Sequence, residues 1–364
     1  MSFDSYVTLG RSGLRVSQFA LGSAAFGEEI AYGVSPEVSE AIIDRYLARG
    51  GNFIDTANLY SCGHSEAIIG DYFSARPGQR HRAVLSTKFF SNLYPGDPNG
   101  GGASRRTIIA QCEESLRRLK TDYIDLYWMH CWDHLTPIEE SMSALDDLVR
   151  QGKVRYVGFS DLPAWKIAQA QTMAQFRGWS PLIALELEYS LMERTIEGEH
   201  VPLALEMGMG IMPWGALRSG ILSGAFGLTR TTGPVSRRAT VNSGMMNLSE
   251  QEAATLAEVS RIAAERGASM TAVSLAWVKA QPGIAVTLLG ADHPDQIDQN
   301  ASAASLDLTA EELAALCAVS RPKLNFPHDF NAGMAMSLAH AGATVNGMAS
   351  GITALQPKTD AERF

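Results

Sequence analysis

Residues 124–160, IDLYWMHCWDHLTPIEESMSALDDLVRQGKVRYVGFS, hold the pattern that decides the fold. An apolar, β-branched and aromatic run at 124–129 reads as a buried strand. The stretch TPIEESMSALDDLVRQGK then reads as an amphipathic helix, with Thr136 and Pro137 at its start, Glu139 completing a TxxE capping box, and Gly152 as the stop. A second run, 154–159, is again a strand. Strand, helix and strand in this order make a βαβ unit, in which the two strands lie parallel.

The same alternation extends in both directions. After an N-terminal hairpin (7–9 with 14–16), strands are expected at 19–21, 52–55, 83–87, 124–129, 154–159, 183–188, 210–214 and 285–289. Between them the pattern predicts helices at 104–119, 163–177, 198–207, 249–266, 271–280 and 294–301, besides those opening at Ser35 and Thr136. In SPEVSEAIIDRYLARGG, Ser35 is the N-cap, Pro36 the first helical residue, and Gly50 and Gly51 end the helix. Eight successive right-handed βα units close into an α/β (β/α)8 TIM barrel, which leaves no open sheet edge. A doubly wound open sheet is the alternative, but no GxGxxG follows the first strand. The barrel is expected to span residues 1–320, with 321–364 a C-terminal extension that either covers the pocket or is partly disordered. Residues 217–247, rich in Gly, Ser, Thr and Arg, are too long for a simple βα turn and read as a functional loop at the barrel mouth.

Composition narrows the function classes. The 364 residues are 46% hydrophobic and 19% charged, enough to bury a large core. A net charge of -9 argues against a nucleic-acid partner, which needs a concentrated basic face. The N-terminus lacks a basic start followed by an apolar run, and no segment offers ~18 uninterrupted apolar residues, so a cytoplasmic protein without a membrane span is expected. The four cysteines have no metal-type spacing and are expected as free thiols. His130 and His134 lie four apart without an HExxH pattern, so no metal site is expected.

In a TIM barrel, chemistry sits at the strand C-termini and the loops after them. The second strand ends on Asp55, Tyr60 follows a few residues later, the third runs into Lys88, and the fourth leads to His130. A phenol has a reference pKa of about 10, and a nearby ammonium lowers it by stabilising the phenolate. Lys88 supplies that cation, Asp55 holds Lys88 charged, and His130 donates to a carbonyl oxygen. Taken singly, they have plainer readings: Asp55 and Lys88 as a structural ion pair and His130 as a packed core or pocket residue, while Tyr60 alone carries little weight.

The runs GGNFIDTANLYSCGHSEAIIG, STKFF, SLRRLKTDYIDLYWMHCWD, GKVRYVGFSD, ALELEYSLMER and MPWGALRSGILSG resemble, in order and spacing, the aldo-keto reductases, over about residues 6–316. The resemblance implies a nicotinamide-dependent, metal-free barrel whose catalytic tetrad is Asp55, Tyr60, Lys88 and His130, with Tyr60 the acid in reduction and the base in oxidation. It implies NADP(H) or NAD(H) as cofactor and a small-molecule carbonyl or alcohol as substrate. It places Ser23 and Asp55 near the nicotinamide ribose, Ser160, Asp161 and Glu186 on the carboxamide, and Tyr189 on the nicotinamide ring. Trp214, Gly215, Ala216, Leu217, Arg218, Gly220 and Leu222 match the pyrophosphate loop, and Gly290, Asp292, Gln296 and Asn300 the adenosine end. Ala24, Phe26, Leu59, Phe89 and Trp132 are placed around the substrate pocket, an apolar and aromatic lining.

Departures cluster at the cofactor end. Relatives usually carry Gln where this chain has Glu186, so that Glu186 and Asp161 bring two carboxyls toward one carboxamide, with one of them protonated or turned away; in the other reading Glu186 simply replaces Gln as an acceptor for the amide NH2. Where relatives show GAR, this chain has Asp292 in GADHPDQIDQN; a carboxylate repels a 2'-phosphate but accepts from a ribose hydroxyl. In the other reading, Asp292 only serves a helix N-terminus, and Arg218, Arg230, Arg237 or Arg238 meets the phosphate. Gly215 and Ala225 replace a hydroxyl and a lysine of the family's loop. Two further functions stand as alternatives: a nicotinamide-binding regulatory or redox-sensing subunit with slow turnover, and a Schiff-base aldolase using Lys88.

Overall fold

The computed structural model describes residues 2–224 and 248–363, so the loop arginines 230, 237 and 238 and Ala225 lie outside the described residues. The chain divides into two compact units, Met1–Arg321 and Pro322–Phe364.

The first unit opens with an antiparallel hairpin, β1 (Tyr6–Thr8) and β2 (Arg15–Ser17). Strands and helices then alternate: β3 (Phe19–Gly22), α1 (Pro36–Ala48), β4 (Phe53–Asp55), α2 (His64–Ser74), β5 (Val84–Phe89), α3 (Arg105–Leu119), β6 (Ile124–Met129) and α4 (Ile138–Arg150). There follow β7 (Val154–Ser160), α5 (Ala164–Arg177), β8 (Leu182–Glu188), α6 (His200–Met207), β9 (Gly210–Trp214), α7 (Glu250–Arg266), α8 (Met270–Lys279), β10 (Thr287–Gly290), α9 (Pro294–Ala304) and α10 (Ala310–Val319). Eight strands form one parallel sheet in the order β10-β3-β4-β5-β6-β7-β8-β9. The last gap narrows where Ile211 N donates to Gly283 O and Ala285 N to Ile211 O, both at 2.9 Å, so the sheet closes into a (β/α)8 barrel.

Strand periodicity decides which residues see the barrel interior. Ala20, Phe53, Val84, Leu126, Trp128, Ala184, Met212 and Val286 fill it, and Leu9 and Val16 of the hairpin join the same cluster. Two residues further along the same faces come Asp55, Ser86, His130 and Glu186, with Lys88 beyond Ser86. The opposite faces, including Leu85, Tyr127, Phe159 and Leu185, pack with the helices in a larger apolar core. Gly158 makes room for Trp128: a Cβ there would lie 2.4 Å from the indole Cζ3.

Several boundaries differ from those expected. The α4 helix begins two residues after Thr136, with Pro137 at the N-cap and no side-chain cap, so the TxxE box does not form; the Thr136 hydroxyl donates to Asp133 Oδ2 at 2.6 Å. The helices α2 and α10 were not anticipated, and the last strand starts two residues later than its apolar run. All four cysteines are free thiols. No helix among the described residues is long and apolar enough to cross a membrane.

The second unit holds a helical run over 328–340 and a small hairpin of Thr344–Val345 with Met348–Ala349. Gln356 Nε2 donates to Ser337 O at 2.7 Å and ties the end of that unit to its helix.

Replacing Gly158 with Ala forces Trp128 or the facing Ala184 carbonyl to move, and a loss of about 1–3 kcal/mol in urea unfolding is expected. An unchanged midpoint contradicts this packing.

Candidate active site

At the C-terminal end of β4 the chain turns through Thr56 and into a 3-10 turn, Tyr60–Gly63. Ser61, Cys62 and Gly63 all hold positive φ (46°, 55° and 93°), a tight left-handed run that directly follows Tyr60. The Ser61 hydroxyl pins it by donating to Phe26 O at 2.7 Å.

Lys88 is fully buried, and so is Asp55. The ammonium bonds Asp55 Oδ2, and it reaches Thr56 O at 3.2 Å, Glu186 Oε1 at 3.2 Å and the Tyr60 hydroxyl at 3.4 Å. The Ser86 hydroxyl donates to the other Asp55 oxygen. The His130 ring meets the Tyr60 ring edge-on, 6.2 Å between centroids. The four residues named from the strand ends are thus brought together, with Glu186 as a fifth member.

Burial alone would lower the Lys88 pKa, but the charges of Asp55 and Glu186 outweigh it and hold the group well above its usual value. Lys88 therefore stays an ammonium. Burial pushes the Tyr60 phenol up to about 12; Lys88 opposes this, while Asp55 and Glu186 add to it. The expected net depression by Lys88 is not found, because desolvation and two carboxyls outweigh one ammonium. Burial, reinforced by Lys88, drags His130 down to about 3, so its imidazole is neutral near pH 7. Burial lifts Asp55 against the pull of Lys88 and Ser86. Glu186 rises well above its ordinary value, through burial first and then the charge of Asp55.

A cavity of about 630 Å³ opens beside this cluster, bordered by Tyr60 and His130 and also by Gly290, Asp292, Gln296 and Asn300 at β10 and α9. Ala24, Ser160, Asp161, Glu186, Trp214, Gly215, Ala216, Leu217, Arg218 and Gly220 lie on its wall too. Both Asp161 oxygens accept from Trp214 Nε1, at 3.2 and 3.1 Å. Arg218 is ion-paired with Glu188. At the start of α9, Gln296 accepts from Asp292 N at 2.8 Å and donates to Asp292 Oδ1 at 2.9 Å.

Other residues expected at the site do not border this cavity. Phe89 directly follows Lys88, so strand alternation turns it outward against Tyr127, 5.0 Å away. Phe26 and Leu222 are fully buried in the same outer core. Ser23 is buried, and its hydroxyl accepts from Ser65 at 2.8 Å. Tyr189 is buried against Trp277 at 5.4 Å, its hydroxyl donating to Glu197 at 2.6 Å. Leu59 is about half exposed, and Trp132 packs edge-on with Trp165 at 5.7 Å. Glu188, Tyr32 and Thr271 border the cavity without having been expected. Glu188 was within reach, since it stands two residues beyond Glu186 on one strand.

The cavity has features that suit a polar, extended cofactor. His130 Nδ1 and Glu186 Oε2 are buried without a hydrogen-bond partner among the described residues. At Gly290, a Cβ would meet nothing within 4 Å, so backbone lies open to a ligand there. The α9 N-terminus stands beside it, where a helix favours negative charge.

A parallel barrel that gathers a phenol, an ammonium and a neutral imidazole at its strand ends belongs to a known class of enzyme. The aldo/keto reductase family model matches residues 18–321; the chain belongs to that family and is thereby an NAD(P)-dependent oxidoreductase acting on CH–OH groups. It is similar to an aryl-alcohol dehydrogenase from Pestalotiopsis microspora, 33% identical over 87% of this chain and 82% of the relative. An uncharacterized oxidoreductase of Bacillus subtilis is 35% identical over 85% of this chain and 94% of its own. A Phanerodontia chrysosporium protein named aryl-alcohol dehydrogenase [NADP(+)] is 31% identical over 91% and 90%.

If one ammonium serves two carboxyls, their removal is not additive. Asp55→Asn leaves Glu186 as the counter-charge of Lys88, whereas Asp55→Asn with Glu186→Gln leaves none. Urea unfolding of the two single variants and the double variant is expected to show a coupling of about 0.5–3 kcal/mol, the double losing more than the sum. An additive cycle contradicts a shared ammonium.

Proposed function

We propose that the protein interconverts an aldehyde or ketone with its alcohol in the cytoplasm, with Tyr60 giving the proton in reduction and taking it back in oxidation. The observation that carries this reading is the Tyr60 hydroxyl 3.4 Å from the buried Lys88 ammonium, on the wall of a cavity it shares with His130. When bound, the nicotinamide supplies the hydride to the carbonyl carbon or removes it. The residues Ser160, Asp161, Glu186, Trp214 to Arg218, Gly290 and Asp292 would hold that cofactor.

As the carbonyl oxygen gains charge it takes the Tyr60 proton, forming an O–H bond and leaving a phenolate that Lys88 stabilises. A phenol pushed up to about 12 keeps its proton until that moment. His130 donates an N–H to the same oxygen and does not titrate in this range. Asp55 acts through Lys88 by holding it in place and charged. The names of two relatives support an aryl alcohol or aromatic aldehyde as substrate.

On cofactor choice, Asp292 supports acceptance of NADH alongside NADPH, because a carboxylate on the cavity wall disfavours a 2'-phosphate and can take a ribose hydroxyl.

With NAD(P)H and a panel of aromatic aldehydes, Tyr60→Phe is expected to lower kcat by about 10²–10⁴-fold. An unchanged rate removes Tyr60 as the acid. The kcat/KM for NADH is expected to be comparable to that for NADPH and to fall selectively in Asp292→Arg; a strong wild-type preference for NADPH contradicts the reading of Asp292.

A further inference from the structure

Glu186 is the member of the buried cluster that the proposed chemistry does not use. Its carboxyl sits at the wall of the cavity with 2% exposure. One oxygen, Oε1, lies 3.2 Å from Lys88 Nζ; the other, Oε2, is buried and has no partner among the described residues. Lys88 has three protons for four neighbours, namely Asp55, Thr56 O, Glu186 and Tyr60. Asp55 is served on both oxygens, by Lys88 and by Ser86.

A buried carboxylate oxygen with no donor carries a large desolvation penalty, and one ammonium balances one negative charge. A proton on Oε2 removes the surplus charge and leaves a donor for a ligand acceptor to satisfy. It turns an orphaned acceptor into a donor, and it leaves Asp55 and Lys88 as a neutral pair. The groups facing Glu186 favour this arrangement: Asp55 from β4, Tyr60 from the turn after it, Lys88 from β5 and Asp161 after β7 sum, with Tyr60 neutral, to a net negative charge. Beyond them on the wall, Glu188 and Arg218 cancel one another, and His130 is neutral.

We propose that Glu186 works as a neutral carboxylic acid, a positioning residue whose Oε2–H donates to an uncharged acceptor on the cavity ligand, such as an amide carbonyl. Its ionisation is then an alkaline switch on ligand affinity. A carboxylic acid has the outline of a carboxamide, with one oxygen accepting and the other position donating, so Glu186→Gln keeps the donor and abolishes the switch. The choice of ligand rests on the proposed cofactor site; the proton on Glu186 does not.

The sign follows from the direction of the shift. A carboxyl whose pKa is raised in the folded protein keeps its proton at neutral pH and loses it as pH climbs through the raised value. Infrared spectroscopy of the ligand-free enzyme at pH 7 tests the proton directly. The wild type is expected to show a carboxylic-acid C=O band that is missing in Glu186→Gln, and a difference spectrum containing only carboxylate bands overturns the proposal. With ¹³C-labelled glutamate in the wild type, a measurement that needs no variant, one side-chain carboxyl is expected to stay at its protonated shift at pH 7. If every glutamate is ionised there, the proposal fails.

Cofactor binding by tryptophan fluorescence between pH 7 and 10 reads the switch. Wild-type affinity is expected to fall on the alkaline side while that of Glu186→Gln holds; parallel falls overturn the switch. Because the infrared and ¹³C readouts need neither cofactor nor turnover, failure of this inference is separable from failure of the proposed reaction.

Discussion

The ammonium of Lys88, buried to zero exposure at the C-terminal end of the barrel, is the constraint around which the site is built. Withdrawing such a charge from water is costly by several kcal/mol even after relaxation, and only close, well-directed partners offset it. Adjacent parallel strands provide them. The register of β4 and β5 sets Asp55 opposite Ser86, two residues before Lys88, so that ammonium, carboxylate and hydroxyl meet on one inward face. Because these groups stand on strands rather than on loops, the scaffold that closes the barrel also fixes the charge beside Tyr60.

That single charge then sets the chemical character of its neighbours. His130 is kept neutral by its burial first, with the Lys88 charge acting in the same direction. Tyr60 is pulled two ways, and the pull of burial wins, so the phenol sits above its ordinary value beside the ammonium. Glu186 differs from the rest: it competes with Asp55 for an ammonium already engaged, and it is left with one oxygen unserved. Along the cavity wall, Asp161 is occupied by Trp214 and Arg218 by Glu188. Among the described residues, Arg218 is the one Lys or Arg on that wall.

Much of this was legible in the sequence. Polar residues at the ends of buried strands are conspicuous against apolar runs, which is why Asp55, Lys88 and His130 could be named from their positions alone. The barrel followed from repetition, where small boundary errors do not accumulate into a wrong topology. What stayed hidden depends on competition between partners. Thr136 carries the capping pattern in sequence, but the helix starts one residue later than that pattern implies, with Pro137 at the N-cap, and the Thr136 side chain is turned to Asp133. The helix α2 lacks a side-chain cap and carries Gly70, whose bare backbone lies against Arg118 and Leu119 of the neighbouring helix. By contrast, α10 has a full Thr309–Glu312 capping box that was there to be read. Phe89, Ser23 and Tyr189 stand next to residues that face the interior, and only the strand register and the local hydrogen bonds turn them away from the cavity.

In the proposed reaction, hydride passes directly between cofactor and carbonyl while Tyr60 handles the proton. Its most direct test is isotopic: reduction of an aromatic aldehyde with nicotinamide cofactor deuterated at the transferable C4 position, followed by mass and NMR analysis of the alcohol. The account predicts that deuterium is found on the carbinol carbon and that the hydroxyl proton comes from solvent-exchangeable positions. Alcohol whose carbinol carbon carries solvent hydrogen, or cofactor that keeps its label while product accumulates, would contradict it.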